Sequence, residues 1–329
     1  MAQKIFLALL LFCSAVGDCY QCSENKAWYL EVDALYWKTM HCPIFVARRF
    51  DTGLGIDRPR EEFYLTGVYD PGVRVRFGVQ CRDWFSDLSY LYFCSEEKIS
   101  EGIGDFDTMI MAGSPQESQG NVIAVKSSGQ FRYQNVDGRF GYCFCPRSCL
   151  DAFFYGNVRW VKIDFKNVTR GIPTNTAVND FFDNFKQEAT LNGGGFGFGG
   201  GVCYALCGNL SLVGNMGVMA IIGNSKLKNF SSIYVDENVG ADVRSNFLAK
   251  SESWCHIFPE LEFKLGLNYT FCLCSWPLGV EIGYELDHYF NAMRYASNTE
   301  VGSGRAEIPP FSCQDVGFAG PYFMLSASF

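Results

Sequence analysis

The stretch of sequence that decides the fold reads FPELEFKLGLNYTFCLCSWPLGVEIGYELDHYF at residues 258–290. Between Pro259 and Phe271, apolar and polar side chains alternate with a period of two, which predicts a β-strand with one apolar face. After residues 274–277 the alternation starts again and continues from Leu278 to Asp287. The two halves predict a β-hairpin that is apolar outside and charged inside.

The length of these two strands favours a membrane protein over a soluble one. Strands of soluble sandwiches typically have about five or six residues, whereas a tilted strand that crosses a bilayer needs roughly nine to eleven. Both strands exceed the soluble length, so we expect a transmembrane β-barrel.

The first 17 residues predict a secretory signal peptide. Lys4 precedes the apolar run 5–13, and the small residues 15–17 provide a cleavage site. A membrane-anchoring helix would need about 20 apolar residues, and the run is too short. We therefore expect a signal peptide at residues 1–17 and a barrel at residues 18–329.

The composition narrows the class of protein and the compartment. The chain has 30 Phe and 17 Tyr among 329 residues, which suits a lipid-embedded barrel with aromatic girdles. Its formal charge of −8 argues against nucleic acid as a partner, because nucleic-acid binding needs a basic surface. Fifteen cysteines indicate an oxidising compartment.

The rest of the chain repeats the alternation and predicts an all-β, antiparallel, up-and-down transmembrane barrel. The strands are expected at residues 27–37, 73–81, 86–94, 129–145, 152–165, 193–206, 210–223, 259–271, 278–287 and 315–329. Short turns are expected at 82–85, 146–150, 207–209 and 275–277, and long loops at 38–72, 95–128, 166–192, 224–255 and 291–312. Short periplasmic turns alternating with long extracellular loops are typical of outer-membrane barrels. This predicts about ten strands, or twelve if the loops hide another pair, in the bacterial outer membrane.

Two stretches interrupt the regular pattern. The parity of the aromatic residues slips at residues 135–138, which predicts a β-bulge.

Five glycines from Gly193 to Gly201 share one face, and three glycines of this stretch, Gly195, Gly197 and Gly200, fit the G-x-G-x-x-G pattern of nucleotide-binding loops. That motif needs a preceding strand, a following helix and a distant acid, and none is evident. A bend or a close approach of other groups is the favoured interpretation.

The last strand predicts a partner. Phe323, Leu325, Ala327 and Phe329 are apolar at every second position up to the terminal aromatic residue. This ending resembles the signal that the bacterial barrel-assembly machinery recognises.

Several separated stretches resemble one family. Residues 32–37, 69–74, 193–214 and 261–269, with the terminal strand, are similar to the Legionella-type major outer membrane proteins, a pore-forming family also found in chlamydia-like bacteria. The resemblance spans most of the mature chain in the same order. It implies an outer-membrane barrel with a porin-like or surface role, and it carries over no catalytic residue and no cofactor. The cysteine richness departs from it and is closer to chlamydial envelopes, where disulfide-linked proteins stiffen the wall.

Charged residues on the predicted inner faces are the candidates for lining the lumen. They form basic and acidic walls that would orient polar solutes in a water-filled pore, or would pair with one another in a plugged interior. Barrels of about eight strands are filled by side chains, so ten strands imply a narrow pore at best. The candidates are Glu31, Asp33, Arg74, Arg76, Arg132, Arg139, Arg159, Lys162, Glu260, Glu262, Glu281, Glu285 and Asp287.

The cysteines predict disulfides more strongly than a metal site. Zinc ligands usually come in C-x2–4-C pairs, and an oxidising compartment favours disulfides. Ten of the cysteines are expected at the periplasmic rim, where they could pair within one barrel or join copies of the chain or other envelope proteins, and four towards the outer end. The rim set is Cys19, Cys22, Cys81, Cys143, Cys145, Cys149, Cys203, Cys207, Cys272 and Cys274, and the outer set is Cys42, Cys94, Cys255 and Cys313.

An enzymatic role is the less favoured interpretation. His41, His256 and His288 are expected in or near the outer loops, and nothing places a nucleophile and a base at a characteristic spacing. We expect a porin-like protein that passes small hydrophilic solutes. The alternative is a structural or adhesive surface protein with a closed lumen. Outer-membrane lipid is the expected surrounding in either case.

Overall fold

The computed structural model describes residues 23–41, 44–51, 58–102, 107–111, 122–147, 149–173, 182–234, 245–273, 276–296 and 311–329. Within them lie thirteen β-strands. They are β1 (Ser23–His41), β2 (Ile44–Asp51), β3 (Arg58–Leu65), β4 (Tyr69–Arg82), β5 (Trp84–Gly102), β6 (Asp107–Met111), β7 (Val122–Arg147), β8 (Leu150–Pro173), β9 (Phe182–Cys207), β10 (Leu210–Tyr234), β11 (Ser245–Leu273), β12 (Trp276–Ala296) and β13 (Phe311–Ser328).

Ten of these strands close into one antiparallel barrel, which confirms the predicted fold class. Around the ring the order is β1, β13, β12, β11, β10, β9, β8, β7, β5 and β4, and β4 pairs with β1. The first and last strands close the ring with Ala34 opposite Phe323. The backbone N–H of Phe329 donates to the carbonyl oxygen of Trp28 at 2.8 Å. A closed ring leaves no unpaired strand edge, which a bilayer requires.

Tight turns mark the end of the barrel that the sequence predicts to be periplasmic, called the periplasmic end below. Arg82 and Asp83 connect β4 to β5, and Gly208 and Asn209 connect β9 to β10. Arg82 and Gly208 both have φ of 55°, a left-handed conformation that reverses the chain within two residues. No helix among the described residues is long and apolar enough to span a membrane.

The barrel strands run further towards the opposite, extracellular end than predicted. β8 continues to Pro173 and β9 begins at Phe182, while β10 continues to Tyr234 and β11 begins at Ser245. The loops predicted at residues 166–192 and 224–255 are therefore largely wrong. Beyond the apolar band the strands lose their apolar outer face, so their alternation no longer signals a strand.

A second, three-stranded sheet lies within segments that were predicted to be loops. β2 pairs with β3 on one side and with β6 on the other. Residues 44–65 and 107–111 thus hold strands outside the ten of the ring. We call this sheet the outer cap.

The predicted bulge at residues 135–138 is wrong. β7 pairs with β5 and β8 without a register shift from residue 124 to residue 142. Its odd-numbered residues face inward throughout, so Tyr133 and Asp137 share the inner face. The change in aromatic parity has another cause: Phe131 and Tyr133 fill the interior, while Phe140 lies on the outer wall.

The outer wall of the barrel is apolar over a broad band, as the alternation predicted. Val158, Phe196 and Phe198 are 68%, 69% and 70% exposed, which fits contact with lipid. The odd-numbered glycines of β9 face inward opposite this band, and a Cβ at Gly199 would lie 2.5 Å from the ring of Tyr155. The glycine row therefore allows a close approach of inner side chains, and the strand continues through it.

Several predictions lie outside the described residues. These are the signal peptide at residues 1–17 and the positions of Cys19, Cys22, Cys42 and Cys274. The side chain of Cys313 lies outside them as well.

Candidate functional site: the interior of the barrel

A band of charged side chains fills the middle of the barrel. Alternation along each strand turns them inward, and strand pairing sets several of them side by side, as with Glu31 and Arg76 or Glu262 and Asp287. Five are cationic and nine are carboxylates. We call them the inner network: Glu31, Asp33, Arg74, Arg76, Asp87, Asp137, Arg139, Arg159, Glu260, Glu262, Lys264, Glu281, Glu285 and Asp287.

Arg159 is the most connected cation of the network. It comes from β8 and reaches Asp137 on the neighbouring β7 at 3.3 Å. On the far side it contacts Glu260 and Glu262 of β11, with the Glu262 oxygen at 2.9 Å. Two strands, β9 and β10, separate β8 from β11 in the ring. The guanidinium therefore bridges the interior rather than neighbouring strands only.

Arg74 and Arg76 of β4 form a second group. The Arg74 guanidinium lies 3.0 Å from Asp33 and also contacts Glu285 of β12. Arg76 pairs with Glu31 on the adjacent β1. Their side chains are only 7% and 10% exposed. A charge buried this deeply needs a partner, since its removal from water is costly.

Two further groups complete the network. Arg139 donates to both carboxylate oxygens of Asp87 at 2.9 Å, and the Tyr29 hydroxyl donates to the same carboxylate at 2.8 Å. Lys264 lies 3.0 Å from Glu281, and the Tyr322 hydroxyl donates to the same carboxylate at 2.6 Å. In both groups a tyrosine hydroxyl donates to a carboxylate that is also paired with a cation. Hydrogen bonds to charged groups are stronger than those between neutral groups.

Side chains from opposite strands meet across the interior. The hydroxyls of Tyr133 on β7 and Tyr289 on β12 are 2.7 Å apart, and the Tyr133 hydroxyl donates to Asp287 at 3.1 Å. β7 and β12 lie diametrically opposite in the ring of ten. In this conformation the lumen is thus bridged by direct contacts.

An apolar layer lies above the inner network, towards the extracellular end. Trp37, Phe93, Tyr133 and Phe318 form its centre, which we call the aromatic layer, and all four are fully buried. The rings of Tyr133 and Phe318 stack at 4.4 Å, and Trp37 lies 5.9 Å from Phe93. Apolar residues in the neck of a pore exclude water, so the layer can act as a constriction.

The outer cap covers the aromatic layer. Ile44 and Leu65, at the ends of β2 and β3, are buried in the same apolar cluster as Trp37. The chain that leaves β3 is held by Glu97 of β5, whose carboxylate accepts from the backbone N–H groups of Thr66 and Gly67 at 3.0 and 2.8 Å. The ends of β2 and β3 therefore pack on the aromatic layer at the extracellular end of the interior.

The structure places most predicted lumen residues on the inner face, and two elsewhere. Arg132 and Lys162 lie on the outer wall, so their assignment to the lumen is wrong. Arg132 was assigned through the false bulge, and Lys162 has even parity on β8, where odd positions face inward. The other eleven lie inside.

Three members of the inner network, Asp87, Asp137 and Lys264, were not predicted, although parity indicates that two of them face inward. Asp87 alternates with Leu88 and Tyr90, which face lipid, so it faces the interior. Lys264 alternates in the same way with Phe263. Asp137 was hidden by the predicted bulge.

The described cysteines cluster where the sequence placed them. Cys81, Cys143, Cys145, Cys149, Cys203, Cys207 and Cys272 lie near the periplasmic end, and Cys94 and Cys255 lie higher. Cys81, Cys145, Cys207 and Cys272 are exposed, while Cys143 and Cys203 are buried. Cys81, Cys207 and Cys272 are present as thiols.

The three histidines do not meet. His41 stacks on Phe131 at 4.9 Å, and His256 lies 3.1 Å from the carbonyl oxygen of Asn291. His288 lies 3.3 Å from Asp315. Within the described part of the chain, no group of three or more His, Cys, Asp or Glu residues could hold a metal ion.

Comparison with known sequences identifies a family. The sequence model of the Legionella pneumophila major outer membrane protein precursor family matches residues 20–329, nearly the whole chain. No curated protein matches the chain.

Comparison with solved structures finds outer-membrane proteins. The Escherichia coli protease OmpT is similar with a TM-score of 0.44 at 7% identity, over 92% of this chain and 97% of that one. The Pseudomonas putida toluene transporter TodX has a TM-score of 0.30 at 8% identity, over 93% and 90%. A Pseudomonas aeruginosa FadL homologue has 0.25 at 9% identity, over 93% and 90%. Because these TM-scores are below 0.5, the similarities carry no argument about activity.

Proposed function

Because the chain belongs to the Legionella pneumophila major outer membrane protein family and resides in the bacterial outer membrane, we propose that its barrel is a porin-like channel. Small hydrophilic solutes pass through the narrow lumen that the inner network lines. No catalytic step is assigned to the chain.

The inner network is the observation that carries this proposal. Buried ion pairs contribute little net stability, because desolvation offsets the attraction, and apolar residues of similar volume would hold a closed barrel as well. Ionisable residues at membrane depth more often mark a path for ions or polar solutes. Fourteen such residues in the middle of the barrel fit a path better than a wall.

Unpaired oxygens among the inner side chains support a hydrated lumen. Oδ1 of Asp33, of Asn157 and of Asn268 are buried and have no hydrogen-bond partner among the described residues. Buried polar atoms in native proteins are nearly always bonded to protein or to water. Water at these positions would connect the groups of the network.

The balance of charge in the network favours cations. Nine carboxylates face five cationic side chains, so the network carries four more acids than bases. Fixed charge in a confined pore raises the local concentration of the opposite ion. The lumen should therefore admit small cations and neutral polar solutes more readily than anions.

The aromatic layer and the outer cap form the gate in this proposal. Trp37, Phe93, Tyr133 and Phe318 block the lumen in the conformation described here. Opening requires the Tyr133–Tyr289 contact to separate and the layer to part. Passage is then intermittent, and a closed resting state is expected.

The same contacts favour a second candidate, a structural or adhesive surface protein whose lumen never opens. The bridge between Tyr133 and Tyr289 joins opposite walls, which a permanently closed barrel would retain. The two candidates share the fold and the location, and they differ in permeability.

Solute entry into liposomes separates the two candidates. Refolded full-length protein is reconstituted, and swelling is followed in sugars and amino acids of increasing size. A porin-like channel lets the smallest solutes in and excludes the larger oligosaccharides. Liposomes with correctly folded protein that swell no faster than protein-free liposomes would favour the closed-lumen candidate.

The rim cysteines support a further element of the proposal, a link to the cell envelope. Cys81, Cys207 and Cys272 are exposed thiols near the periplasmic end, in a chain that resides in an oxidising compartment. A closed barrel already satisfies its backbone hydrogen bonds and needs no disulfide to exist. We propose that rim thiols join neighbouring copies or other envelope proteins.

The last strand supports a partner in assembly. Phe323 in β13 and Phe329, directly after it, are 41% and 58% exposed on the outer wall. An alternating strand that ends in an exposed aromatic residue fits recognition by the barrel-assembly machinery before the ring closes.

A further inference from the structure

The outer wall changes abruptly from apolar to basic along four adjacent strands. On β8, Val158 and Trp160 end the apolar band, and Lys162, Lys166 and Arg170 follow on the same face. β7 and β10 change in the same way above their own apolar residues, and β9 and β5 add one lysine each. We call these residues the basic strip: Lys98, Lys126, Arg132, Lys162, Lys166, Arg170, Lys186, Lys226 and Lys228.

Strand register places the members of the basic strip side by side. Lys126 lies opposite Arg170, and Lys166 and Lys228 flank Glu188 from either side. The strip is thus one surface that crosses β7, β8, β9 and β10.

The strip is strongly unbalanced in sign. Against nine cations, the described outer-wall positions of these strands hold three carboxylates, Glu96, Asp164 and Glu188. Each has a lysine of its own strand within 3.1 Å. Six positive charges therefore remain in excess on one surface. A merely solvated wall would mix the signs, since like charges repel.

The strip occupies one side of the barrel only. On β11, β12, β13, β1 and β4, the described outer-wall positions above the apolar band carry one lysine, Lys38, and one carboxylate, Asp315. An extension into water would need a charged wall all round, so solubility does not explain the asymmetry.

The lower end of the strip lies at the height of the lipid headgroups, and its upper members, such as Lys126 and Arg170, lie above them. Trp160 marks the interface, because its indole N–H donates to Asn192 at 2.9 Å while its ring lies on the apolar band. At roughly 3.3 Å per residue and a tilt of about 40°, Lys162 lies about 5 Å and Lys166 about 15 Å above Trp160. The interfacial region is roughly 5–8 Å thick on each side, and lysine side chains reach further.

From its charge, position and asymmetry, we propose that the basic strip binds the phosphorylated headgroups of lipids in the outer leaflet. The phosphates neutralise the excess charge at the lower end of the strip, and the acyl chains of the same lipids lie against Val158, Phe196 and Phe198 below. Juxtamembrane basic clusters attract anionic lipids by this physics. The inference is independent of whether the lumen opens.

The test uses a pair of lipids that differ only in phosphate. Refolded full-length protein in neutral detergent is titrated with bisphosphorylated lipid A and with dephosphorylated lipid A, and bound lipid is counted by native mass spectrometry. The variant Lys162→Gln/Lys166→Gln/Lys226→Gln/Lys228→Gln removes four charges. The matching Lys-to-Arg variant keeps them, and Lys38→Gln changes the opposite side.

The phosphorylated lipid should bind more tightly than its dephosphorylated form, and increasing salt should weaken that binding. The four-Gln variant should lose roughly tenfold or more in affinity, whereas the four-Arg variant and Lys38→Gln should not. Should the four-Gln variant fail to fold, Lys166→Gln/Lys228→Gln gives the same comparison with fewer changes.

Equal binding of the two lipids, or unchanged binding by the folded Gln variants, would overturn the proposal. Loss of heparin binding in the Gln variants, with no binding of lipid A to the wild type, would assign the strip to a soluble polyanion and overturn it too.

Discussion

Arg159 joins carboxylates from two other strands in the middle of the barrel. Its replacement by Met leaves Asp137, Glu260 and Glu262 buried without their shared cation. Loss of one partner of a buried ion pair typically costs about 3–5 kcal/mol. We expect a loss of that order in the free energy of unfolding, measured by denaturant titration of the refolded barrel in micelles.

A compensated variant provides the control for Arg159. Arg159→Met combined with Asp137→Asn, Glu260→Gln and Glu262→Gln removes the charge imbalance, so most of the lost stability should return. If Arg159→Met alone were as stable as the wild type, the described pairing would be wrong.

Gly199 and Gly194 both lie on β9. Gly199 faces the interior of the barrel and Gly194 faces the outer wall. A Cβ at Gly199 would lie 2.5 Å from the ring and the hydroxyl of Tyr155, whereas a Cβ at Gly194 would meet only the carbonyl oxygen of Arg159, at 3.4 Å. Gly199→Ala should therefore lower the free energy of unfolding by about 1–3 kcal/mol, as overpacking does. Gly194→Ala should change it much less. Equal effects in the same denaturant titration would contradict the packing of β8 against β9.

Parity along the strands predicts much of the interior, and the two wrong assignments departed from the parity that the structure shows. Glu260, Glu281 and Asp287 alternate with lipid-facing residues and therefore could be placed inside. Arg132 and Lys162 are charged but lie on the outer wall, because there the strands have already left the apolar band. The contacts of Tyr133 with Tyr289 join residues far apart in sequence, and no local pattern carries such information.

The strands themselves were predictable wherever lipid contacts one face. β4, β11 and β12 alternate cleanly for this reason. The upper parts of β8, β9 and β10 have polar groups on the outer wall, so residues 166–192 and 224–255 resemble loops. The outer cap is formed by short strands without a clear hydrophobic period, so it was not predicted from the sequence.

The alternation of short and long connections sets the orientation of every strand. Epitope tags inserted within residues 112–120 or 235–244 should bind antibody on intact cells, because these segments follow the extracellular ends of strands. A tag at residues 147–149, in the turn between β7 and β8, should bind only after the outer membrane is permeabilised. Equal labelling of both classes on intact cells would contradict the topology.

Exposed thiols at the periplasmic end predict that disulfides join this protein to its neighbours in the envelope. We expect native outer membranes to give high-mass species on non-reducing gels, which collapse to the monomer with reductant. Replacement of Cys81, Cys207 and Cys272 by Ser should reduce these species without unfolding the barrel, since the ring needs no disulfide. Cys143→Ser, at a buried position, serves as the control. A native protein that runs only as a monomer without reductant, with no thiol to alkylate, would rule the network out.

The family, the outer-membrane location and the closed ring of ten strands do not by themselves make a channel, so permeability is the central claim. The most direct measurement is a conductance recording of the refolded full-length protein in a planar bilayer under a potassium chloride gradient. Small, intermittent steps are expected, with a reversal potential that favours potassium, because carboxylates outnumber cations in the inner network. A silent membrane, with the protein shown to be folded and inserted, would contradict the channel and leave a barrel whose lumen stays closed.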